Sequence, residues 1–260
     1  MKIAPQQIIW SADVTLNELT EVVMHEALPK GTIIKLSRLF FIRYGLKPIQ
    51  LCQDRGYPVF ADAKIIEIPN NTMDIAREYL KFEPWMLNVM AGICSSGELP
   101  DDFNSEFEND EKIEALARFA KLCKNVGTKS CAVTVLTSKT EDMVLDEYGT
   151  EVKDQVLTYV KLMHACKLTD IVCSPQEAKA IRAHTEFDSM NINTPGIRLP
   201  DSSADDQARI LTPAKALATC CNRLVIGRDL TGKNDPENPI PITDRIRANY
   251  QRIIEHIESA

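Results

Sequence analysis

Residues 60–71, FADAKIIEIPNN, set Asp62, Lys64 and Glu67 among Phe60, Ala61, Ile65, Ile66 and Ile68. A run of this composition reads as a buried strand, where an unpaired charge is costly. Charges in and just beyond such a run mark either a surface strand or a site in which they answer one another. Asp62 and Lys64, two apart, point to the same side of a strand, while Glu67 lies in the segment leaving it.

Working outward, short β-rich runs recur on both sides of this stretch: IIWSA (8–12), TIIKL (32–36), VFADA (59–63), WMLNVM (85–90), SCAVTVLT (130–137), DIVCS (170–174), MNINTPG (190–196) and RLVIG (223–227). Between them lie stretches of helical periodicity such as LNELTEVVMHEAL, EKIEALARFAKLCKNV and EVKDQVLTYVKLMHACK, and PITDRIRANYQRIIEHIE closes the chain. Strict strand–helix alternation implies parallel strands joined by right-handed crossovers. Eight such units in 260 residues predict an α/β protein with one (βα)8 TIM barrel domain over residues 1–260, an open doubly wound sheet being the alternative. Two irregular segments, 92–111 (acidic) and 197–213 (polar), are expected as long loops over the C-terminal face, the second as a lid.

A formal charge of -7 argues against a broad nucleic-acid or membrane-binding surface and leaves room for one local basic pocket. No window reaches the roughly 18 apolar residues of a membrane span, and MKIAPQQIIW lacks a signal peptide's apolar stretch, so a cytoplasmic protein is expected. The eight cysteines show no C-x-x-C spacing and read as buried free thiols. His25, His164, His184 and His256 are scattered over helical stretches, without metal-ligand spacing or a nearby nucleophile signature. They read as surface residues, and no metal is implied.

In a barrel, chemistry gathers at the C-terminal ends of the strands. Those positions hold Asp13 after the first strand, Lys35 on the second, Asp62 and Lys64 at the third, Thr137 at the fifth, Arg198 after the seventh and Gly227-Arg228 after the eighth. Asp13 could equally cap the first helix. Lys35, on an apolar strand, needs a partner such as Asp62 or Asp13, because lysine is seldom buried alone. Gly227 and Arg228 lead into a turn-rich segment whose backbone N–H groups, with a guanidinium beside them, would suit a phosphate. Gln207 could close over it from the polar loop.

These residues resemble a known family. D-A-K-I-I-E-I-P-N (62–70) is similar to the D-x-K-x-x-D-I-P-N signature of the orotidine 5'-phosphate decarboxylases. T-P-G-I-R (194–198), D-Q-A-R-I-L-T-P (206–213) and V-I-G-R (225–228) resemble its later motifs in the same order, and KLSRLFFIRYG (35–45), VTVLTS (133–138) and VCSPQEA (172–178) fit too. The resemblance implies a cofactor-free (βα)8 homodimer converting orotidine monophosphate to UMP. It makes Lys64 the proton donor to C6, Asp62 the neighbour of the departing carboxylate, Lys35 a bridge between Asp62 and the ribose, and Asp13 a ligand of a ribose hydroxyl. Thr137 would contact the pyrimidine; Arg198, Gln207, Gly227 and Arg228 would hold the phosphate and close the loop; and Asn71, Thr72 and Pro195 fall at substrate-binding positions. Glu67, from the partner chain, would replace the signature's second aspartate.

The chemistry agrees with that resemblance, since loss of carbon dioxide from C6 leaves negative charge on a ring carbon, which a fixed ammonium stabilises most directly. Three positions depart from the family pattern: Glu67 for aspartate, Asn71 for a threonine near the ribose, and Met90 at a place often histidine. These departures keep two rivals open: a superfamily paralogue acting on another phosphorylated substrate, and a UMP-binding protein without turnover.

Overall fold

A computed structural model of the chain describes residues 2–93, 113–202 and 210–260. Cys94, Gln207, most of the 92–111 loop and residues 203–209 of the second loop lie outside the described residues. Eight strands are found among the described residues, where the sequence places them: β1 (Ile8–Ser11), β2 (Ile33–Ser37), β3 (Val59–Ile65), β4 (Met86–Met90), β5 (Lys129–Val133), β6 (Asp170–Val172), β7 (Asn191–Thr194) and β8 (Arg223–Ile226). All pairings are parallel, and β1 pairs with both β2 and β8, so the strands close into a barrel in sequence order. The open-sheet alternative is thereby excluded.

Helices return the chain between strands: α1 (Leu16–Met24), α2 (Arg38–Tyr44), α3 (Pro48–Gln53), α4 (Pro69–Leu80), α5 (Glu114–Asn125), α6 (Glu141–Tyr148), α7 (Val152–Ala165), α8 (Pro175–Arg182), α9 (Pro213–Leu217), α10 (Arg228–Thr231) and α11 (Ile242–Glu258). Their starts are written locally. Thr15 caps α1, its hydroxyl accepting from the Glu18 N–H while the Glu18 carboxylate accepts from the Thr15 N–H at 2.9 Å. Asp13 is therefore not the helix cap. The same reciprocal box joins Ser174 and Glu177 at the head of α8, with Pro175 at its first position.

Strand parity sorts the core. Ile8, Trp10, Ile34, Leu36, Val59 and Ala61 point outward into the layer beneath the helices. Ile9, Ile33, Phe60, Met86, Cys131 and Val225 point inward and fill the barrel lumen. Below this plug, Asp170, at zero exposure, accepts from Arg223 Nη1 at 2.7 Å and from Asn193 Nδ2 at 3.1 Å, and the Arg223 guanidinium lies 4.9 Å from the centre of the Trp85 ring. A paired charge and a stacked cation thus close the N-terminal end of the barrel.

Two expectations are corrected. The fifth strand ends at Val133, not Thr137, because its partner β6 ends at Val172 and the ladder has nothing further to pair with. Thr137 consequently stands in a loop. Of the histidines, His25 and His164 are exposed, but His184 and His256 are half-buried. All seven described cysteines are free, and all but Cys220 are buried.

Candidate active site

The plug residues set the site by parity. Two positions beyond Ile9, Ile33, Phe60, Met86, Cys131 and Val225 come Ser11, Lys35, Asp62, Asn88, Val133 and Gly227, the next inward-facing positions toward the C-terminal end. Above the plug opens a cavity of about 300 Å³ lined by Ser11, Asp13, Lys35, Asp62, Lys64, Thr137, Ser138, Pro195, Arg198, Gly227 and Arg228, among others.

At its floor lies a compact charge array. The Asp62 carboxylate, 4% exposed, accepts from Lys35 Nζ at 2.6 Å through Oδ2 and from Lys64 Nζ at 2.6 Å through both oxygens. Asn88 Nδ2 donates to Asp62 Oδ1 at 2.7 Å. Burial pushes the Asp62 carboxyl up, but the Lys35 and Lys64 ammoniums outweigh it and hold the carboxyl well below the usual carboxylate range. Lys35 is itself buried, which disfavours its charge; Asp62 and then Asp13 more than offset this, and its pKa is raised. The Lys35 side chain is 12% exposed and that of Lys64 38%, so Lys64 is the ammonium presented to the cavity.

The opening stretch is not a regular strand. Between Ala61 and Ile65, β3 advances four residues while β4 advances two, from Leu87 to Val89, and Lys64 takes a left-handed φ of 43°. For a residue with a Cβ this conformation costs roughly 1–2 kcal/mol. Asn88 Oδ1 accepts from the Lys64 N–H at 2.7 Å, Arg38 Nε donates to the Ala63 carbonyl at 2.7 Å, and Arg38 Nη2 donates to the Lys64 carbonyl. Asp62 and Lys64 do come together as their spacing predicts, but through a bulge rather than simple alternation.

Around the array, Asp13 Oδ2 accepts from the Ser11 hydroxyl at 3.2 Å. Thr137 and Ser138 line the cavity from the β5–α6 loop, and Pro195 from the end of β7. Gly196 follows with φ 76°, a conformation glycine adopts without cost. Next, Ile197 bridges Leu211 in parallel, the Arg198 N–H donates to the Leu211 carbonyl at 3.0 Å, and the two roots of the 197–213 segment are joined. Arg198 is buried, with Nη1 donating to the Ile197 carbonyl at 2.8 Å and Nε 4.0 Å from Asp229 Oδ1. Arg228 is exposed at the head of α10.

Three expected residues do not line this cavity. Glu67 and Asn71 are exposed beside it in sequence but outside its wall. Thr72 is buried, and its hydroxyl donates to the Glu67 carbonyl at 2.9 Å, tying the β3–α4 turn. Its visible work is structural. Met90 is half-buried at the end of β4.

Ser11, Ser138 and Asn88 were not singled out from sequence. For Asn88 a signal existed: a lone amide inside the apolar run WMLNVM has to find partners.

Residues 106–240 match the model of the Orotidine 5'-phosphate decarboxylase / HUMPS family. The chain belongs to this family. An orotidine 5'-phosphate decarboxylase of Chromohalobacter salexigens is 33% identical over 84% of this chain and 85% of its own length. One from Staphylococcus aureus is 32% identical over 85% and 88%. In fold, the orotidine 5'-phosphate decarboxylase of Lactobacillus acidophilus superposes with a TM-score of 0.68 at 22% identity, covering 96% of this chain and 98% of that one. A conserved protein of Geobacillus kaustophilus superposes equally well, with the same score and identity. The family match lies downstream of residues 60–71, whereas the Lys35–Asp62–Lys64 array lies in the first third of the chain. Among the described residues, no helix is long and apolar enough to cross a membrane.

Proposed function

We propose that this chain, acting as one barrel domain, is a carboxy-lyase that converts orotidine 5'-monophosphate to UMP in de novo pyrimidine biosynthesis. The observation that carries this reading is the Lys35–Asp62–Lys64 array on the cavity floor, in a chain of this family. In the reaction the C6–carboxylate bond breaks, carbon dioxide departs, and the bonding pair stays on C6. The Lys64 ammonium stabilises that charge and delivers its proton to C6, then recovers a proton from solvent. Asp62 remains ionised throughout and keeps Lys64 aimed, while Lys35, held on Asp62 Oδ2, faces the ribose with Asp13.

Thr137 and Ser138 meet the pyrimidine from the β5–α6 loop. Gly227, Arg228 and Arg198 hold the phosphate, and Gln207 is assigned to the same group. Phosphate binding far from C6 then contributes to positioning of the ring.

Two copies are needed to complete the site. Glu67 and Asn71 stand outside their own cavity, flanked by apolar side chains that one chain leaves bare: Ile42 is 75% exposed and Ile68 65%, with Leu39 and Ile66 beside them. The Arg38 hydrogen bonds to residues 63 and 64 bring α2 against this segment, so the exposed residues form one patch suited to a second copy. Glu67 then enters the partner's site.

The purified chain should deplete orotidine monophosphate, followed by its ultraviolet absorbance, with no metal or cofactor added. Lys64→Ala should abolish this. Tight UMP binding without turnover by the unmutated chain refutes the enzyme reading and supports a nucleotide-binding role.

A further inference from the structure

We propose that Asn88 and Arg38 are positioning residues that grip the Ala63–Lys64 peptide from opposite sides and so aim the Lys64 ammonium. This rests on the decarboxylase reading and assigns to that site two residues that its charge array does not contain. The peptide plane joining residues 63 and 64 is held at both ends, its N–H by Asn88 Oδ1 at 2.7 Å inside the barrel and its C=O by Arg38 Nε at 2.7 Å outside. Arg38 Nη2 also holds the next carbonyl, that of Lys64. Fixing the peptides on either side of Cα64 fixes both backbone dihedrals, and these set the direction in which the Lys64 side chain leaves.

The left-handed φ of 43° makes this grip necessary, because a lysine released from it relaxes toward negative φ and swings its side chain away from Asp62. Asn88 is matched to the task by chemistry. Its amide presents an acceptor oxygen and a donor nitrogen side by side, and both groups are engaged, the oxygen on the Lys64 N–H and the nitrogen on Asp62 Oδ1 at 2.7 Å. One buried side chain thereby locks the acid's backbone to the carboxylate that holds its ammonium. Aspartate offers no donor unless protonated, leucine offers neither group, and glutamine is a methylene too long. Arg38 does its part from an exposed position on α2, where no packing argument requires a guanidinium.

The test compares turnover of orotidine monophosphate, UMP affinity and thermal midpoint for the unmutated chain, Asn88→Ala, Arg38→Met and Asn88→Asp. A lysine displaced by about 1 Å predicts kcat lower by roughly 10²-fold in Asn88→Ala and by about 10-fold in Arg38→Met, with UMP affinity nearly unchanged. Should Asn88→Ala fail to fold, Arg38→Met carries the test at an oligomeric state shown to match that of the unmutated chain, because α2 borders the patch assigned to the second copy.

Asn88→Asp supplies a signature that a structural role would not. Its introduced carboxyl faces Asp62, so one proton is shared between them, and only the protonated form can donate as the amide did. Its activity should rise toward acid pH relative to the unmutated enzyme. Folded Asn88→Ala and Arg38→Met enzymes with kcat within about threefold of the unmutated value, or an Asn88→Asp pH profile that superimposes on it, overturn the proposal. No turnover by the unmutated chain instead overturns the decarboxylase reading, and with it any catalytic consequence of the grip.

Discussion

Replacing Asp62 by Asn keeps the shape of the side chain and removes the one negative charge between two ammoniums. Losing one partner of a buried ion pair costs about 3–5 kcal/mol, because the remaining charge stays desolvated. The two lysines do not contribute equally. Lys64, 38% exposed, recovers hydration, and its share falls toward the 0–1 kcal/mol of a surface pair, whereas Lys35 at 12% recovers little and keeps only Asp13 nearby. The expected loss is therefore near the lower bound, about 3 kcal/mol at pH 7, or roughly 6–12 °C in thermal midpoint for a chain of this size.

The pH dependence carries a sign. The folded pKa of Asp62 is depressed, so its stabilisation is fully present well above the unfolded value of about 3.9 and is lost as pH falls below that value toward the folded one. Lys35 is raised in the fold, so its stabilisation is present below the unfolded value of about 10.4 and is lost as pH rises through the folded pKa. The stability gap between the unmutated chain and Asp62→Asn should be widest between these limits and about 1 kcal/mol narrower at pH 3 than at pH 7. Denaturant unfolding at both pH values measures it. A gap below about 0.5 kcal/mol at pH 7, or one unchanged at pH 3, would refute the picture of Asp62 as the buried counter-ion of both lysines.

Arg228→Ala should raise KM for orotidine monophosphate by about 10²-fold through loss of a charge-assisted phosphate contact, and assaying the un-phosphorylated nucleoside should erase the difference between variant and parent. Arg223→Met should cost about 3 kcal/mol or more in denaturant unfolding by stranding buried Asp170, with kcat/KM retained in the folded fraction because the change lies below the lumen plug. Mixing inactive Lys64→Ala and Glu67→Gln chains should restore activity at hybrid sites; no recovery after subunit exchange counts against a shared site.

The barrel was legible in the sequence because parity and alternation survive in it almost unbroken. Inward residues are apolar up to Ile33, Phe60 and Val225 and then turn polar two positions later at Lys35 and Asp62, or give way to Gly227, which marks both the strand and the height at which the lumen opens. The ion-pair partners could be named because a buried lysine demands one. Less legible was how the partners meet: the bulge and the positive φ of Lys64 depend on Asn88 and Arg38, 24 residues after and 26 before it, and no local propensity announces them. Asp13 was open between cap and ligand, yet the Thr15-x-x-Glu18 box already assigned the cap elsewhere. The end of the fifth strand was misjudged because VTVLT is as β-prone as what precedes it; only the short partner strand stops the pairing.

The Asp170–Arg223–Asn193 closure bears on how such a chain can change over evolutionary time. Its charges sit at the foot of the tube, with the apolar plug between them and the cavity. Substitutions separated in this way combine nearly additively, so a lineage can reshape loops at one mouth while its tolerance for destabilising steps is held in reserve at the other. Departures such as Glu67 and Met90, both toward the C-terminal end of the barrel, are then changes that its foot can absorb.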